Sequence, residues 1–118
     1  MQTQLIRSCC EGTSHLEEII EILPKDEELL QTSYIFKALS DKTRLKILFA
    51  LIDYEICVGE MARILNLPQS QVSHQLKILR EKNIVKFKKS KKMSFYSIKN
   101  KQVEDILKLV LKIKNIKD

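Results

Sequence analysis

Between Gln69 and Lys77 the chain reads Gln-Ser-Gln-Val-Ser-His-Gln-Leu-Lys, a run of amides and hydroxyls with one imidazole and one ammonium. Short polar groups of this kind reach base edges in a DNA major groove, where bulky residues would hold a helix off. Gln69, Ser70, Gln71, Ser73, His74 and Lys77 are therefore the candidate readers. Further along, Lys86 to Lys92 holds five lysines. Of these, Lys88, Lys89, Lys91 and Lys92 suit the neutralisation of phosphates, which positions a protein without reading sequence. Three thiols remain: Cys9, Cys10 and Cys57. An odd count leaves no intramolecular disulfide framework that uses them all, so reduced thiols in a cytoplasmic protein are expected. Catalysis is not expected. No Ser or Cys is matched to a histidine, no carboxylate motif clusters, and two separated glycines cannot build a phosphate loop.

Helices must position these groups. Leu16, Ile19, Ile20 and Leu23 stripe a first helix over about 14–23, which Pro24 stops. Asp26 reads as the N-cap of a second helix reaching about Leu39, and Ser40 as the cap of a third. That third helix carries Leu45, Leu48, Phe49 and Ile52, with Ile47 and Leu51 widening a deeply buried stripe. Val58, Met61, Ala62 and Leu65 then predict a helix of about two turns, and Asn66-Leu67-Pro68 a tight turn. The polar run falls on the next helix, Gln69 to about Lys82, whose buried side is Val72, Leu76 and Leu79. Asn83 suits a left-handed end.

After Asn83 the period drops from 3.6 to 2. Val85 and Phe87, then Met93 and Phe95, alternate with polar residues and predict two strands. Lys89-Ser90-Lys91-Lys92 joins them into a basic hairpin without the usual glycine. A last helix runs from about Lys101 to the end on a stripe of Val103, Ile106, Val110 and Ile113, broadened by Leu107, Leu109 and Leu111. Short helix, turn, polar-faced helix and basic hairpin in this order describe a winged helix-turn-helix. The expected fold is mainly α with a small β-hairpin, in the order α-α-α-α-α-β-β-α.

Composition agrees. The 118 residues are 44% hydrophobic, too apolar for disorder, and carry a net charge of +6 that suits nucleic acid. The longest apolar run, Ile47 to Ile52, is far short of the ~18 residues of a membrane span. The first fifteen residues contain no hydrophobic signal core, which argues against secretion. A basic amphipathic last helix also suits a membrane surface; its near-continuous apolar stripe fits packing in a dimer better, and no membrane partner is expected. We expect residues 1–13 to form a flexible, cysteine-bearing segment and residues 14–118 a single domain.

Two stretches, Leu39-Ser-Asp-Lys-Thr-Arg-Leu-Lys-Ile-Leu48 and Leu67-Pro-Gln-Ser-Gln-Val-Ser-His-Gln-Leu-Lys-Ile-Leu79, resemble the ArsR/SmtB family of winged-helix repressors. The similarity is strong from about Tyr34 to Ile98. It implies a homodimer built from the first and last helices. It also implies a pseudo-palindromic double-stranded DNA operator, with two recognition helices about one turn, ~34 Å, apart.

Within the family, Glu55-Ile-Cys-Val-Gly-Glu60 resembles the CadC-like branch that senses cadmium, lead and zinc, in which N-terminal cysteines join a Cys-Val-Cys. Cys57 matches that motif, Gly59 replaces its second cysteine, and Cys9 and Cys10 match approximately, being adjacent rather than spaced. The resemblance implies Cys9, Cys10 and Cys57 as metal ligands. Soft thiolates select Cd(II), Pb(II), As(III) or Zn(II). Three sulfurs suit trigonal Pb(II) or As(III), or a tetrahedral site completed by water, His15 or Glu60. Alternatives are a thiol-redox switch, and a regulator whose Cys57 is only a small apolar residue. A second family site, zinc between the C-terminal helices, is expected to be absent: the matching positions are Asn100, Gln102, Ile113 and Ile116, and no histidine follows His74.

Overall fold

A computed structural model describes residues 13–114 and 116–117 of the chain. One compact unit ends at Ser33 and a second begins at Tyr34. The first unit contains α1, Thr13–Ile22, which leaves Leu16, Ile19 and Ile20 exposed, and the start of α2, Asp26–Leu39. Asp26 is the first helical residue of α2 rather than its cap. Lys25 precedes it, and the Glu28 carboxylate accepts the Lys25 N–H at 3.0 Å. Asp26, Glu27 and Glu28 set negative charge against the positive end of the helix dipole.

The cap of α3, Lys42–Ala50, also differs by one residue from expectation. Asp41 holds it, accepting the Arg44 N–H on Oδ2 at 2.9 Å. The Ser40 hydroxyl is already engaged, donating to the Lys37 carbonyl at 2.9 Å in the last turn of α2. Within α3 the widening residues carry the deepest burial: Ile47 and Leu48 are fully buried and Leu51 follows them in, while Leu45 and Phe49 pack at the edge.

Next come α4, Val58–Leu65, and α5, Gln69–Glu81. Both end by the same device. Asn66 and Asn83 adopt left-handed backbone, φ 56° and 61°. The following residue then donates back to close the turn, Leu67 N–H to Ala62 O and Ile84 N–H to Leu79 O, both at 3.0 Å. These paired bonds satisfy carbonyls that a helix end leaves open. Pro68 caps α5, which starts at Gln69 as expected, and its carbonyl accepts from Gln71 and Val72. On the inner side of α5, Val72, Leu76 and Leu79 are fully buried against the core that Ile47, Leu48, Met61 and Val85 complete.

The hairpin is part of a three-stranded antiparallel sheet, so the expected element order lacks one strand. A two-residue strand β1, Ile56–Cys57, pairs with β3, Met93–Ile98, which pairs in turn with β2, Val85–Ser90. Two residues carry no period, which hid β1. The hairpin turn is tighter than the four residues expected: Ser90 pairs with Met93, and Lys91 supplies the left-handed conformation at φ 60°. A lysine there bears strain that glycine would avoid.

The last helix, α6, runs Lys101–Leu111 and stops short of the end. Its Val103 and Leu107 are buried and Ile106 packs beside them, whereas Val110 and Ile113 are exposed together with Leu109 and Leu111. The expected stripe is thus covered over its first half and exposed over its second. Among the described residues, no helix is long and apolar enough to cross a membrane.

The Asp41 cap is directly testable. Asp41→Ala should lower the unfolding free energy by about 1 kcal/mol, read from urea midpoints at unchanged slope. Ser40→Ala should lower it by less; the reverse ranking would return the capping role to Ser40.

Candidate nucleic-acid interface

Presenting a polar face requires burying the opposite one. With Val72, Leu76 and Leu79 inward, the 100° step per residue leaves Gln69, Ser70, Gln71, Ser73, His74 and Lys77 all exposed. The six predicted readers therefore share the solvent side of α5. Behind α5 lies α4, connected through the Asn66 turn, the arrangement in which one helix enters a groove while the other crosses the backbone.

The hairpin extends from the end of α5. Lys88, Lys89, Lys91 and Lys92 are exposed on it. Lys88 lies 3.7 Å from the Glu55 carboxylate, with both side chains mostly solvated. Such an exposed pair contributes little, so Glu55 holds Lys88 only weakly. The hairpin is tied to the helix by contacts that sequence reading missed. The Arg80 guanidinium, in the last turn of α5, sits 4.8 Å from the centroid of the Phe87 ring, and Phe87 lies 5.5 Å from Tyr96. Alternation made Phe87 an inward residue, yet it is partly exposed as the platform under Arg80.

Cys57 lies at the start of α4, as its place in the sequence suggests, and also belongs to a strand that was not expected. It is the last residue of β1 and the residue before α4, buried, and paired with Phe95 of β3. Its N–H donates to the Glu60 carboxylate at 3.3 Å. Cys57 also lines a cavity of about 680 Å³ together with Glu60, Arg63, Gln69 of α5 and Met93 of the hairpin. The other two predicted ligands, Cys9 and Cys10, lie outside the described residues. His15 is exposed on α1. Among the described residues no three His, Cys, Asp or Glu side chains converge as a metal would need.

Comparison with known proteins bears on the same elements. Residues 41–86, from the α3 cap to the first strand of the hairpin, match the bacterial regulatory protein, arsR family. Over 112 residues the chain is 30% identical to a transcriptional repressor SmtB homolog of Synechocystis, covering 92% of this chain and 85% of that protein. A cadmium resistance transcriptional regulatory protein CadC homolog of Staphylococcus aureus is 31% identical over 107 residues, covering 87% and 88%. Among solved structures, reduced HlyU from Vibrio cholerae superposes with a TM-score of 0.70 at 28% identity, over 77% of this chain and 96% of that one.

Two kinds of interaction should separate in solution. Lys89→Gln, Lys91→Gln and Lys92→Gln should weaken all duplexes alike, each lowering the slope of log affinity against log salt by ~0.9 for every phosphate no longer neutralised. Ser73→Ala and His74→Ala should instead reduce discrimination between duplexes at constant slope. A lysine variant that altered sequence preference would overturn the phosphate role.

Proposed function

The chain belongs to the arsR family of bacterial regulatory proteins, and from that premise we propose that it is a homodimeric repressor, freed from its DNA operator when a thiophilic metal ion binds its cysteines. In this reading α5 enters the major groove and Gln69, Ser70, Gln71, Ser73, His74 and Lys77 meet base edges, while Lys88, Lys89, Lys91 and Lys92 hold phosphates beside it. The apolar residues left exposed on α1 (Leu16, Ile19, Ile20) and α6 (Leu109, Val110, Leu111) suit burial against a second copy. Two α5 helices one DNA turn apart match a pseudo-palindromic operator. The cytoplasm, where thiols stay reduced, is the compartment this chemistry requires.

The observation that carries the metal response is the position of Cys57. One residue joins the start of α4, the sheet that bears the hairpin and the cavity wall shared with Gln69 and Met93. A pull on Cys57 therefore reaches both DNA-contacting elements. The donor set within the described residues is incomplete, Cys57 and the Glu60 carboxylate standing alone, so the proposal relies on Cys9 and Cys10 to supply the remaining thiolates. A soft donor set selects Cd(II), Pb(II), As(III) or Zn(II) and supplies the cross-link. Tying the N-terminal cysteines to Cys57 draws α4 out of register with the hairpin, and linkage makes metal and DNA oppose one another by ~1–3 kcal/mol. A second reading has its own support: the burial of Cys57 equally suits a small apolar residue in a regulator that ignores metals.

Fluorescence anisotropy of the reduced protein on the DNA upstream of its own coding region, titrated with Cd(II), Pb(II), Zn(II) and As(III), distinguishes them. Metal should release the DNA, and Cys57→Ser should abolish release while leaving metal-free binding intact. Gly59→Cys should tighten the response to Cd(II), since a Cβ at Gly59 meets only the Gln69 side-chain nitrogen, at 3.5 Å. Tight binding indifferent to every ion would discard the sensor and keep the repressor. Release by peroxide alone would assign the thiols to redox.

A further inference from the structure

Burying Val72, Leu76 and Leu79 decides which face of α5 turns inward, but apolar contact is non-directional and tolerates small rotations and slides. Reading base edges demands more, a placement held to ~0.5 Å and ~10–20°. A directional contact is present. Arg44, in the first turn of α3, donates from Nη1 to the Oε1 of Gln75 at 3.0 Å. The same guanidinium donates from Nε to the Ala38 carbonyl at 2.6 Å and from Nη2 to the Lys37 carbonyl at 3.4 Å. Both carbonyls belong to the last turn of α2, where no partner exists within the helix. The Arg44 backbone is itself anchored, because its N–H is the one that Asp41 caps.

Gln75 is half-buried, one turn after Gln71 and next to His74, on the border between the inner and outer faces of α5. A guanidinium offers only donors, so the Gln75 oxygen must face Arg44. Rotation of α5 about its axis would break this bond while leaving the apolar packing nearly intact. We propose that Arg44 is the positioning residue that sets the rotation of α5 through Gln75, and with it the register in which Ser73 and His74 meet DNA. The inference rests on the reading of α5 as the base-contacting helix. Lysine cannot replace arginine here, since a single ammonium lacks the planar fork that spans α2 and α5 at once.

The test compares a duplex from upstream of the protein's own coding region with a scrambled duplex of equal length, by anisotropy, with thermal midpoints alongside. Arg44→Lys and Gln75→Met should each lose about tenfold on the upstream duplex and little on the scrambled one, as for one charge-assisted hydrogen bond. The double variant should be no worse than the poorer single one. Gln75→Glu, which keeps an acceptor for the guanidinium, should retain the ratio between the duplexes. Multiplying losses, equal losses on both duplexes, or no loss would each overturn the proposal. Should Arg44→Lys fail to fold, Gln75→Met decides alone, because it leaves the bonds from Arg44 to α2 in place. If Ser73→Ala and His74→Ala leave discrimination intact, the reading of α5 falls and the proposal with it. If they abolish discrimination while Arg44→Lys and Gln75→Met do not, only the proposal falls.

Discussion

The rest of the structure depends on α5 having two incompatible faces. Val72, Leu76 and Leu79 are fully buried, and the six polar residues offered to base edges lie on the other side of the same thirteen-residue helix. Three apolar side chains, each contributing ~1.5–3 kcal/mol by leaving water, are enough to decide which face turns inward. They oblige the neighbours to supply a matching surface: Ile47 and Leu48 from α3, Met61 from α4 and Val85 from the hairpin. The elements around α5 are thus a socket, and their short lengths follow from needing only one or two inward turns each.

Helix ends settle what burial leaves open. The paired asparagines, Asn66 and Asn83, reverse the chain by left-handed residues rather than by glycine, and each closing bond comes from an apolar residue, Leu67 or Ile84, that then packs against the core. Chain direction after α4 and after α5 is fixed by the same motif. That sets the angle of α5 at one end and the launch of the hairpin at the other. Arg80 over Phe87 adds a side-chain tie across the second junction, so the hairpin is braced where it leaves the helix and free at its lysine-rich tip. A braced base with a solvated tip suits contact with a flexible, uniformly charged backbone.

How much of this was legible follows from where the signals lie. The α4–turn–α5 unit was readable to within a residue because each helix repeats apolar residues at local spacing and ends at an asparagine or proline. The cap of α3 was missed by one position, since Ser40 and Asp41 are both good caps and only the structure shows that the Ser40 hydroxyl is spent on α2. Strand β1 is too short for any period, and its identity depends on pairing with β3, far along the chain. The Arg44–Gln75 bond spans 31 residues of sequence and joins two residue types that carry no signal alone. Local pattern was legible; proximity of distant residues was not.

The last helix shows why one apolar pattern supported two structures. Val103, Ile106, Val110 and Ile113 form an unbroken helical series in the sequence, yet the chain buries only the first part of it. Hydrophobic periodicity states that a face seeks cover, and is silent on whether the cover belongs to the same molecule. Within the chain, α3 to β3 need only Val103, Ile106 and Leu107 to finish the core. Leu109, Val110 and Leu111 leave half or more of their apolar surface in water, and Leu16, Ile19 and Ile20 on α1 leave much of theirs there too. Apolar surface on α1 and α6 beyond what the core uses is what the assembly proposed above would cover. In the dimeric repressor proposed above, the terminal helices hold two copies together while the α5 helices stay free to address the two halves of one operator.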